Sequence, residues 1–333
     1  PGSLGARAAS GLTVSGSGTL VARAASGTSA DGWTGAQLAG LASSGAFTSP
    51  TTSLGIDACY EALSYTSAFP YIGLKKLGAY TLNFTGSAPE LGAIEVYNGE
   101  LNLSASGGHN LHSNSVAVGM SVDAASLAVL RLTGATLTTD DPGYNRAGPL
   151  LTIGSATNSR SIVYIGDNAA ANGRLLLGNG SGSAGAVYQT AGTVTNTGGN
   201  AYDAALGANG YGYYRVDGGT FANKGYTQLG RNSAATGILD QRGGSVCLNT
   251  GTAPANGVVG DYYNGTFSTR AGVGLFQISG GTFSTGAHTL QLGEWSVENT
   301  YSNGLAVLTI ESNAVAAVDA EIRLANRNGS PEA

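Results

Sequence analysis

The chain contains few of the residues on which most catalytic and nucleic-acid-binding proteins depend. Among its 333 residues there are only 2 Cys, 3 His, 1 Met and 2 Trp, and charged residues make up 11%, about half of the usual globular share. The net charge is −5, with no basic stripe to neutralise phosphates, so nucleic acid is not expected as a partner. No apolar run approaches the roughly 18 residues of a membrane span.

Proline is also scarce, with 8 residues, whereas glycine is abundant, with 54. No Gly-X-Y period runs through the chain, which excludes collagen. Ser, Thr, Asn and Gly supply the polarity that charged residues supply elsewhere, and this composition favours a β-rich extracellular surface over a long helical protein.

The chain repeats itself. "VDGGTFANKGYTQLG" at 216–230 has a near copy in "ISGGTFSTGAHTLQLG" at 278–293. Alternating apolar segments precede the glycine pairs, and a second short strand that usually ends in Leu-Gly or Val-Gly follows them. Alternation with period two between glycine turns indicates strands. Aligned on the Gly-Gly-Thr-Phe element, the copies are 191–194, 218–221, 243–246, 280–283 and 312–315.

These features predict an all-β fold, a single right-handed parallel β-helix (β-solenoid) with three short strands per coil. Ten to twelve coils stacked at about 4.8 Å would reach about 50–60 Å. Two apolar columns should run through the interior. The first contains Val194, Phe221, Val246, Phe283 and Val315. The second contains Leu206, Leu229, Val259, Leu292 and Leu324.

A third aligned column contains two glutamines, Gln189 and Gln241, among Val216, Ile278 and Ile310. The glutamines would either form polar ladders inside the solenoid or face outward, and the sequence leaves both open. The two cysteines, Cys59 and Cys247, are far apart along the chain. In a solenoid they lie several coils from each other, too far for a disulfide, so two separate thiols are expected.

Charged residues of consecutive copies align with opposite sign. Arg215 aligns with Asp240, and Asp217 with Arg242. This arrangement predicts an exposed lattice of charges between coils, contributing about 0.2–1 kcal/mol per pair. The alternative is an active-site cluster, but each carboxylate would have an arginine neighbour, which makes a poor general acid.

Four tyrosines form the candidate ligand or partner surface: Tyr211, Tyr213, Tyr262 and Tyr263. They lie at or near predicted coil corners, where exposed tyrosine provides contact area at low entropy cost. The alternative is that the rings stack on one another and cover the coil edges. Insertions at corners, 250–256 and 261–270, account for the long interval between the repeat copies at 243–246 and 280–283.

One stretch resembles a known family. "GLKKLGAYTLNFTGSAPELGAIEVYNGELNLS" at 73–104 is similar to the bacterial autotransporter-associated β-strand repeat. The shared positions are Gly73, Leu74, Lys76, Leu77, Gly78, Thr81, Leu82, Thr85, Gly86, Gly99, Leu101 and Leu103. Glu100 departs from the pattern, where the family has Thr. The resemblance implies a secreted or surface-exposed bacterial solenoid and identifies scaffold positions, not an active site.

We expect one continuous domain over 1–333. It divides into a part resembling the family repeat (1–110) with a short helix near 34–42, irregular coils (111–180), regular coils (181–326) and a polar tail (327–333). Leu38 and Leu41 are spaced to pack one face of the helix onto the coils.

The function expected is a non-catalytic, extracellular structural or adhesive module of a bacterial protein. The opening "PGSLGAR" has neither an initiator Met nor a hydrophobic signal segment, so the chain is expected to derive from a longer precursor. Its partners would be other copies of itself or the rest of that precursor, met through the solenoid ends, and surface glycans. No catalytic residue, metal or cofactor is expected. The alternative is a polysaccharide-binding or polysaccharide-cleaving β-helix, a lyase or glycosidase, since that scaffold hosts both.

Overall fold

The structure is a computed structural model of the 333-residue chain. It describes residues 12–25, 32–88, 90–104, 110–139, 150–196, 204–223, 227–232, 234–248, 267–269, 272–285, 290–294, 305–311, 313–318 and 322–326. Tyr262, Tyr263, Val259 and the tail 327–333 lie outside these ranges.

In the described residues, the N-terminal part contains one helix and eight strands. The helix is α1 (Gly35–Ala42), and it begins with a capping box in which Thr34 and Gln37 exchange side-chain-to-backbone hydrogen bonds. The strands are β1 (Thr19–Arg23), β2 (Ser53–Asp57), β3 (Leu63–Tyr65), β4 (Gly73–Leu77), β5 (Leu82–Phe84), β6 (Glu90–Val96), β7 (Gly99–Ser104) and β8 (Asn110–Val118).

From residue 127 onward the strands come in groups of three, each group forming one coil. The first coils are β9 (Leu127–Thr133), β10 (Thr136–Thr139), β11 (Leu150–Ile153); β12 (Arg160–Ile165), β13 (Ala170–Asn172), β14 (Arg174–Leu177); and β15 (Ala184–Gln189), β16 (Thr193–Asn196), β17 (Ala204–Leu206). The next are β18 (Tyr211–Val216), β19 (Thr220–Asn223), β20 (Thr227–Leu229); and β21 (Thr236–Gln241), β22 (Ser245–Leu248), β23 (Phe267–Thr269). The last are β24 (Val273–Ile278), β25 (Gly281–Ser284), β26 (Leu290–Glu294); and β27 (Leu305–Ile310), β28 (Ala314–Ala317), β29 (Ile322–Asn326).

All strand pairings are parallel, and each strand pairs with its counterpart in the neighbouring coil, so the fold is a parallel β-solenoid. Ladder A consists of β1, β2, β4, β6, β8, β11, β14, β17, β20, β23, β26 and β29. Ladder B consists of β8, β10, β13, β16, β19, β22, β25 and β28. Sheet C consists of β3, β5, β7, β9, β12, β15, β18, β21, β24 and β27.

The first predicted column is confirmed over four coils. Val194 pairs with Phe221, Phe221 with Val246, and Val246 with Phe283, and all four are buried. The assignment of Val315 is wrong by one residue, because Phe283 pairs with Ala316. A shift of one residue turns a strand over. Val315 therefore pairs with the exposed Thr282 and lies on the outer side.

The second predicted column is confirmed in part. Leu206 pairs with Leu229, and Leu292 with Leu324. Val259 is not the next member, because Leu229 pairs with Thr269 of β23. Residues 261–270, predicted as an insertion, therefore include a regular strand of ladder A. The "VVG" at 258–260 has the same pattern as the Leu-Gly end of a strand. From the sequence alone, either this segment or the strand at 267–269 could follow Leu229 in the column.

The third column settles the position of the glutamines. Gln189 pairs with Val216, and Val216 with Gln241, and all three are fully buried. Gln189 Nε2 donates to the Gly192 and Thr220 carbonyls at 3.1 and 3.0 Å, and its Oε1 accepts from the Tyr214 hydroxyl at 2.7 Å. Both glutamines face inward because the turn carbonyls provide acceptors that a buried amide needs.

Glycine columns allow the coil corners to pass close to sheet C. Gly212 and Gly237 are paired residues in its interior column. A Cβ on Gly237 would lie 1.9 Å from the Leu206 carbonyl oxygen, and one on Gly212 would lie 2.0 Å from the Gly207 nitrogen. The backbone that passes close to these glycines belongs to Leu206 and Gly207, one of the Leu-Gly strand ends noted in the sequence. Gly207 has a positive φ of +73°, which such a corner requires.

The two described ends differ. At the N-terminal end α1 packs against β3, and Leu38, Leu41, Leu63 and Tyr65 are all buried, which confirms the predicted helix and its apolar face. At the other end, Ile310 and Ile322 are 50% and 51% exposed, although their partners Ile278 and Leu290 are buried. Among the described residues, the inward side chains of this last coil therefore have a neighbouring coil on one side only.

Candidate functional surface

The outer face of sheet C contains the candidate residues. Its strands alternate between buried and partly exposed side chains, as in β12, β15 and β18. Every second side chain therefore points to solvent, and outward residues of neighbouring coils are stacked about 4.8 Å apart.

Three outward tyrosines form a stack along the solenoid axis. The ring centroids of Tyr164 and Tyr188 lie 5.5 Å apart with an interplanar angle of 22°, and those of Tyr188 and Tyr213 lie 5.7 Å apart at 58°. Tyr164 pairs directly with Tyr188, whereas Tyr213 pairs with Ala186 and its ring reaches diagonally to Tyr188. The small Ala186 leaves room for this diagonal contact.

Ion pairs terminate the stack at both ends. The Arg131 guanidinium lies 4.4 Å from the Tyr164 ring centroid and pairs with Glu100, with Nε and Oε1 3.1 Å apart. The hydrogen bond to Glu100 raises the pKa of Arg131. At the other end the Tyr213 hydroxyl donates to Asp240 Oδ2 at 2.7 Å. Burial and this hydrogen bond raise the pKa of Tyr213 to about 12.

We call this chain of contacts the tyrosine stripe. It connects strands from β7 to β21 through successive direct contacts, and its members are Glu100, Arg131, Tyr164, Tyr188, Tyr213 and Asp240.

Of the four aligned charges, Asp240 belongs to the stripe and Arg215, Asp217 and Arg242 lie beside it, and short ion pairs form at the end of each strand. Arg215 is the register partner of Asp240, as the alignment places it. The short ion pairs join Arg215 Nε to Asp217 Oδ1 and Arg242 to Asp240 Oδ2, each at 2.8 Å. A residue and its second neighbour share one strand face, so these pairs form without any neighbouring coil. The contact across coils at Asp240 comes from Tyr213.

The remaining candidate tyrosine, Tyr211, is 42% exposed at the edge of the same face. Partial burial and the nearby Tyr188 raise its pKa. The predicted Tyr262 and Tyr263 lie outside the described residues. Of the four tyrosines proposed from the sequence, the structure thus describes two, Tyr211 and Tyr213, on adjacent outward positions of β18.

Sequence reasoning missed Tyr164, Tyr188, Arg131 and Glu100. A signal for the first two is present, because "RSIVYI" and "AGAVYQ" share a Val-Tyr pair that aligns in register. Arg131 and Glu100 had no such signal. They belong to coils of different length, and their contact is diagonal, since Glu100 pairs with Val129 in the ladder.

The carboxylates of this surface are engaged in ion pairs. Each carboxylate of the Asp217 and Asp240 pair is held by an arginine. In the part of the chain that the structure describes, no group of three His, Cys, Asp or Glu residues could share a metal ion. No described helix has the length and apolarity needed to cross a bilayer. Cys59 and Cys247 are both free thiols.

The fold and this face define a β-solenoid with an ordered aromatic and ion-paired outer surface. The chain matches no protein-family model, no curated protein and no solved structure.

Proposed function

We propose that the chain is a non-catalytic structural and adhesive module of an extracellular bacterial solenoid. The observation that carries the proposal is the tyrosine stripe. It presents an ordered row of side chains along several coils, and each of its charged groups is in an ion pair. Such a row suits repeated contacts with an extended partner. The resemblance of 73–104 to autotransporter-associated repeats supports the extracellular location and the bacterial origin.

The structural role rests on the last described coil. Ile310 and Ile322 would become buried, as Ile278 and Leu290 are, if a further coil of parallel strands stacked on them. We propose that another copy of the chain or a further part of its precursor provides this coil. Burying about half of each isoleucine would favour the contact by about 1 kcal/mol per side chain.

A polysaccharide lyase or glycosidase is the alternative on the same scaffold. A glycosidase needs two carboxyl groups, one of them able to donate a proton, on either side of the substrate bond. The arginine partners of Asp217 and Asp240 oppose that role. Release of reducing ends or of unsaturated products from any member of a panel of acidic and neutral polysaccharides would decide for the enzyme.

Light scattering over a wide concentration range, with electron microscopy of the same sample, tests the structural role. We expect association that rises with concentration and that Ile310→Lys abolishes, because a buried lysine would replace the apolar contact. Val307→Lys is the matched control, since Val307 lies on the outer face of the same strand. Association that survives Ile310→Lys, or that Val307→Lys removes equally, would contradict a contact through this edge.

A further inference from the structure

The tyrosine stripe presents hydroxyl groups to solvent. Tyr164 and Tyr188 are partly exposed, and their ring faces contact each other, the Arg131 guanidinium and the Tyr213 ring. Within the described residues neither hydroxyl has a protein partner, whereas the Tyr213 hydroxyl is held by Asp240. Two phenol hydroxyls on adjacent coils are therefore available to donate to and accept from a ligand.

A second, apolar row runs parallel to the stripe. On β9, β12 and β15 it lies two residues before the stripe, and from there it continues through direct register partners to β24, with the stripe's own Tyr213 as its member in β18. Its other members are partly exposed: Val129, Ile162, Ala186, Ile238 and Leu275. Over β12 and β15 the outer face of sheet C thus has two phenol hydroxyls beside an apolar row that follows the solenoid axis.

The charges beside these rows nearly cancel. Three arginines are paired with carboxylates, Arg131 with Glu100, Arg215 with Asp217, and Arg242 with Asp240. Arg160, at the exposed start of β12, adds one positive charge at the edge of the face. The surface therefore has little excess positive charge with which to attract an acidic polymer. Its paired guanidinium and carboxylate groups remain able to hydrogen-bond hydroxyls at their free edges.

We infer that this face binds a neutral polysaccharide whose chain lies along the solenoid axis over β12, β15, β18 and β21. A sugar chain has apolar C–H faces and a hydroxyl rim, which match the apolar row and the hydroxyls of Tyr164 and Tyr188 with the paired charged groups beside them. Exposed Tyr211 extends the contact area at the edge. The inference rests on the adhesive function proposed above and names the chemical class of its partner.

The test measures binding of the full chain to soluble polysaccharides by affinity electrophoresis and calorimetry. The neutral probes are a β-glucan, an α-mannan and a dextran, and the acidic probes are alginate and polygalacturonate. We expect one or more neutral probes to bind, with affinity changing less than about 2-fold between low and high salt, because little net charge is neutralised.

Variants locate the site. Tyr188→Phe keeps the ring stack and removes one hydroxyl, so it should weaken binding about 3- to 10-fold. Tyr211→Ala should weaken it about 10-fold through lost contact area. Thr193→Val is the matched control, because it removes a hydroxyl from ladder B in the coil of Tyr188 and should leave binding unchanged. Thermal unfolding shows whether each variant is folded.

Three results would overturn the inference. They are the failure of every neutral probe to bind, salt-sensitive preference for the acidic probes, and equal effects of Tyr188→Phe and Thr193→Val. Adhesion of the chain to protein-coated or cell surfaces without polysaccharide binding would support the adhesive function and refute the neutral polysaccharide as its partner. If the chain neither adheres to such surfaces nor binds polysaccharide, both the adhesive function and the polysaccharide partner are refuted.

Discussion

Two regions of the solenoid build their coils differently. Near the N-terminus, sheet C advances from Leu63 to Leu82 and then to Leu101, so a coil is compact and contains two strands. Later, Val187 pairs with Tyr214 and Tyr214 with Leu239, so a coil uses more of the chain and contains three strands.

Strand β8 is the junction between the two-strand coils and the three-strand coils. Its first half pairs with β10 and its second half with β11. One long strand therefore continues as two shorter ones, between which the chain adds residues 140–149. The comparison teaches that an insertion of this kind changes the number of strands without changing the register, since the corner glycines and interior columns continue through both regions.

The largest expected effect comes from the glycine column of the three-strand coils. Gly212→Ala should lower the free energy of unfolding by about 2–4 kcal/mol, because its Cβ would collide with the Gly207 backbone, which cannot move away as a side chain could. At the equivalent position of β9, the buried Ala128 shows that a Cβ fits. Ala128→Gly should cost only about 0.5–1 kcal/mol. Equal losses in urea unfolding would mean that the close corner at Gly207 does not restrict this position of the three-strand coils.

Lys76 tests the two-strand region. It is fully buried, and its Nζ donates to the Leu77, Gly78 and Asn98 carbonyls at 2.7, 2.7 and 2.9 Å. Lys76→Met should cost about 1–3 kcal/mol at neutral pH, because these carbonyls lose their donor. Leu177→Met, in the same column of a three-strand coil, should cost under about 1.5 kcal/mol. Urea unfolding of both variants checks the order, and a larger loss for Leu177→Met would reverse it.

The Lys76 site also has a pH signature. Burial lowers its pKa from 10.5 to about 8, with Asp57 opposing the shift. Between these values the unfolded chain binds more protons than the folded one, so stability rises with pH, by up to about 3 kcal/mol for a full shift of this size. The advantage of the wild type over Lys76→Met should therefore grow from pH 8 to pH 10.5. A constant or shrinking difference would show that the carbonyls hold the ammonium charged.

The buried hydrogen bond between Tyr214 and Gln189, in the three-strand coils, should have a smaller effect on the free energy of unfolding. Tyr214→Phe leaves the buried Gln189 Oε1 without its 2.7 Å donor and should cost about 1–2 kcal/mol. Tyr188→Phe removes a hydroxyl that faces solvent from the neighbouring coil and should change stability by less than about 0.5 kcal/mol. Chemical denaturation of the two variants separates them, and similar losses would argue against an inward Gln189.

The surface charges should have the smallest effect. A double-mutant cycle on Arg242 and Asp240 should give a coupling of about 0.5–1 kcal/mol, and one on Arg215 and Asp240 should give less than about 0.3 kcal/mol. The Glu100–Arg131 pair, which connects β7 to β9 across the junction, should have a coupling energy similar to that of Arg242 and Asp240. A dominant Arg215–Asp240 coupling would restore the lattice between coils that the sequence suggests.

The sequence predicts those parts of the fold in which the backbone itself restricts the residue type. Glycine corners and the alternation around Val194, Phe221 and Val246 identify the solenoid and most of its register. Two segments were predicted incorrectly. The strand at Phe267–Thr269 was assigned to an insertion, because the repeat pattern is interrupted over 249–266. The register at Val315 was wrong by one residue, because the small side chains of "SNAVAAV" fit either register.

The candidate surface was less predictable, because its contacts are diagonal or depend on burial. Tyr213 reaches diagonally to Tyr188, and Arg131 reaches diagonally to Glu100 on the adjacent strand, and an alignment of equivalent positions displays neither contact. The inward direction of Gln189 depends on the Thr220 carbonyl and the Tyr214 hydroxyl, which belong to the next coil.

A disulfide between neighbouring coils tests the account most directly. Ala222 pairs with Cys247 in the register of β19 and β22. Directly opposed residues on parallel strands lie about 4.8 Å apart, within the range of a disulfide, whereas residues offset by two lie farther apart. Under mild oxidation Ala222→Cys should form a cross-link with Cys247 and leave Cys59 as the free thiol, and Thr220→Cys should not. Efficient cross-linking of Thr220→Cys, with none in Ala222→Cys, would contradict the register on which every column of this solenoid depends.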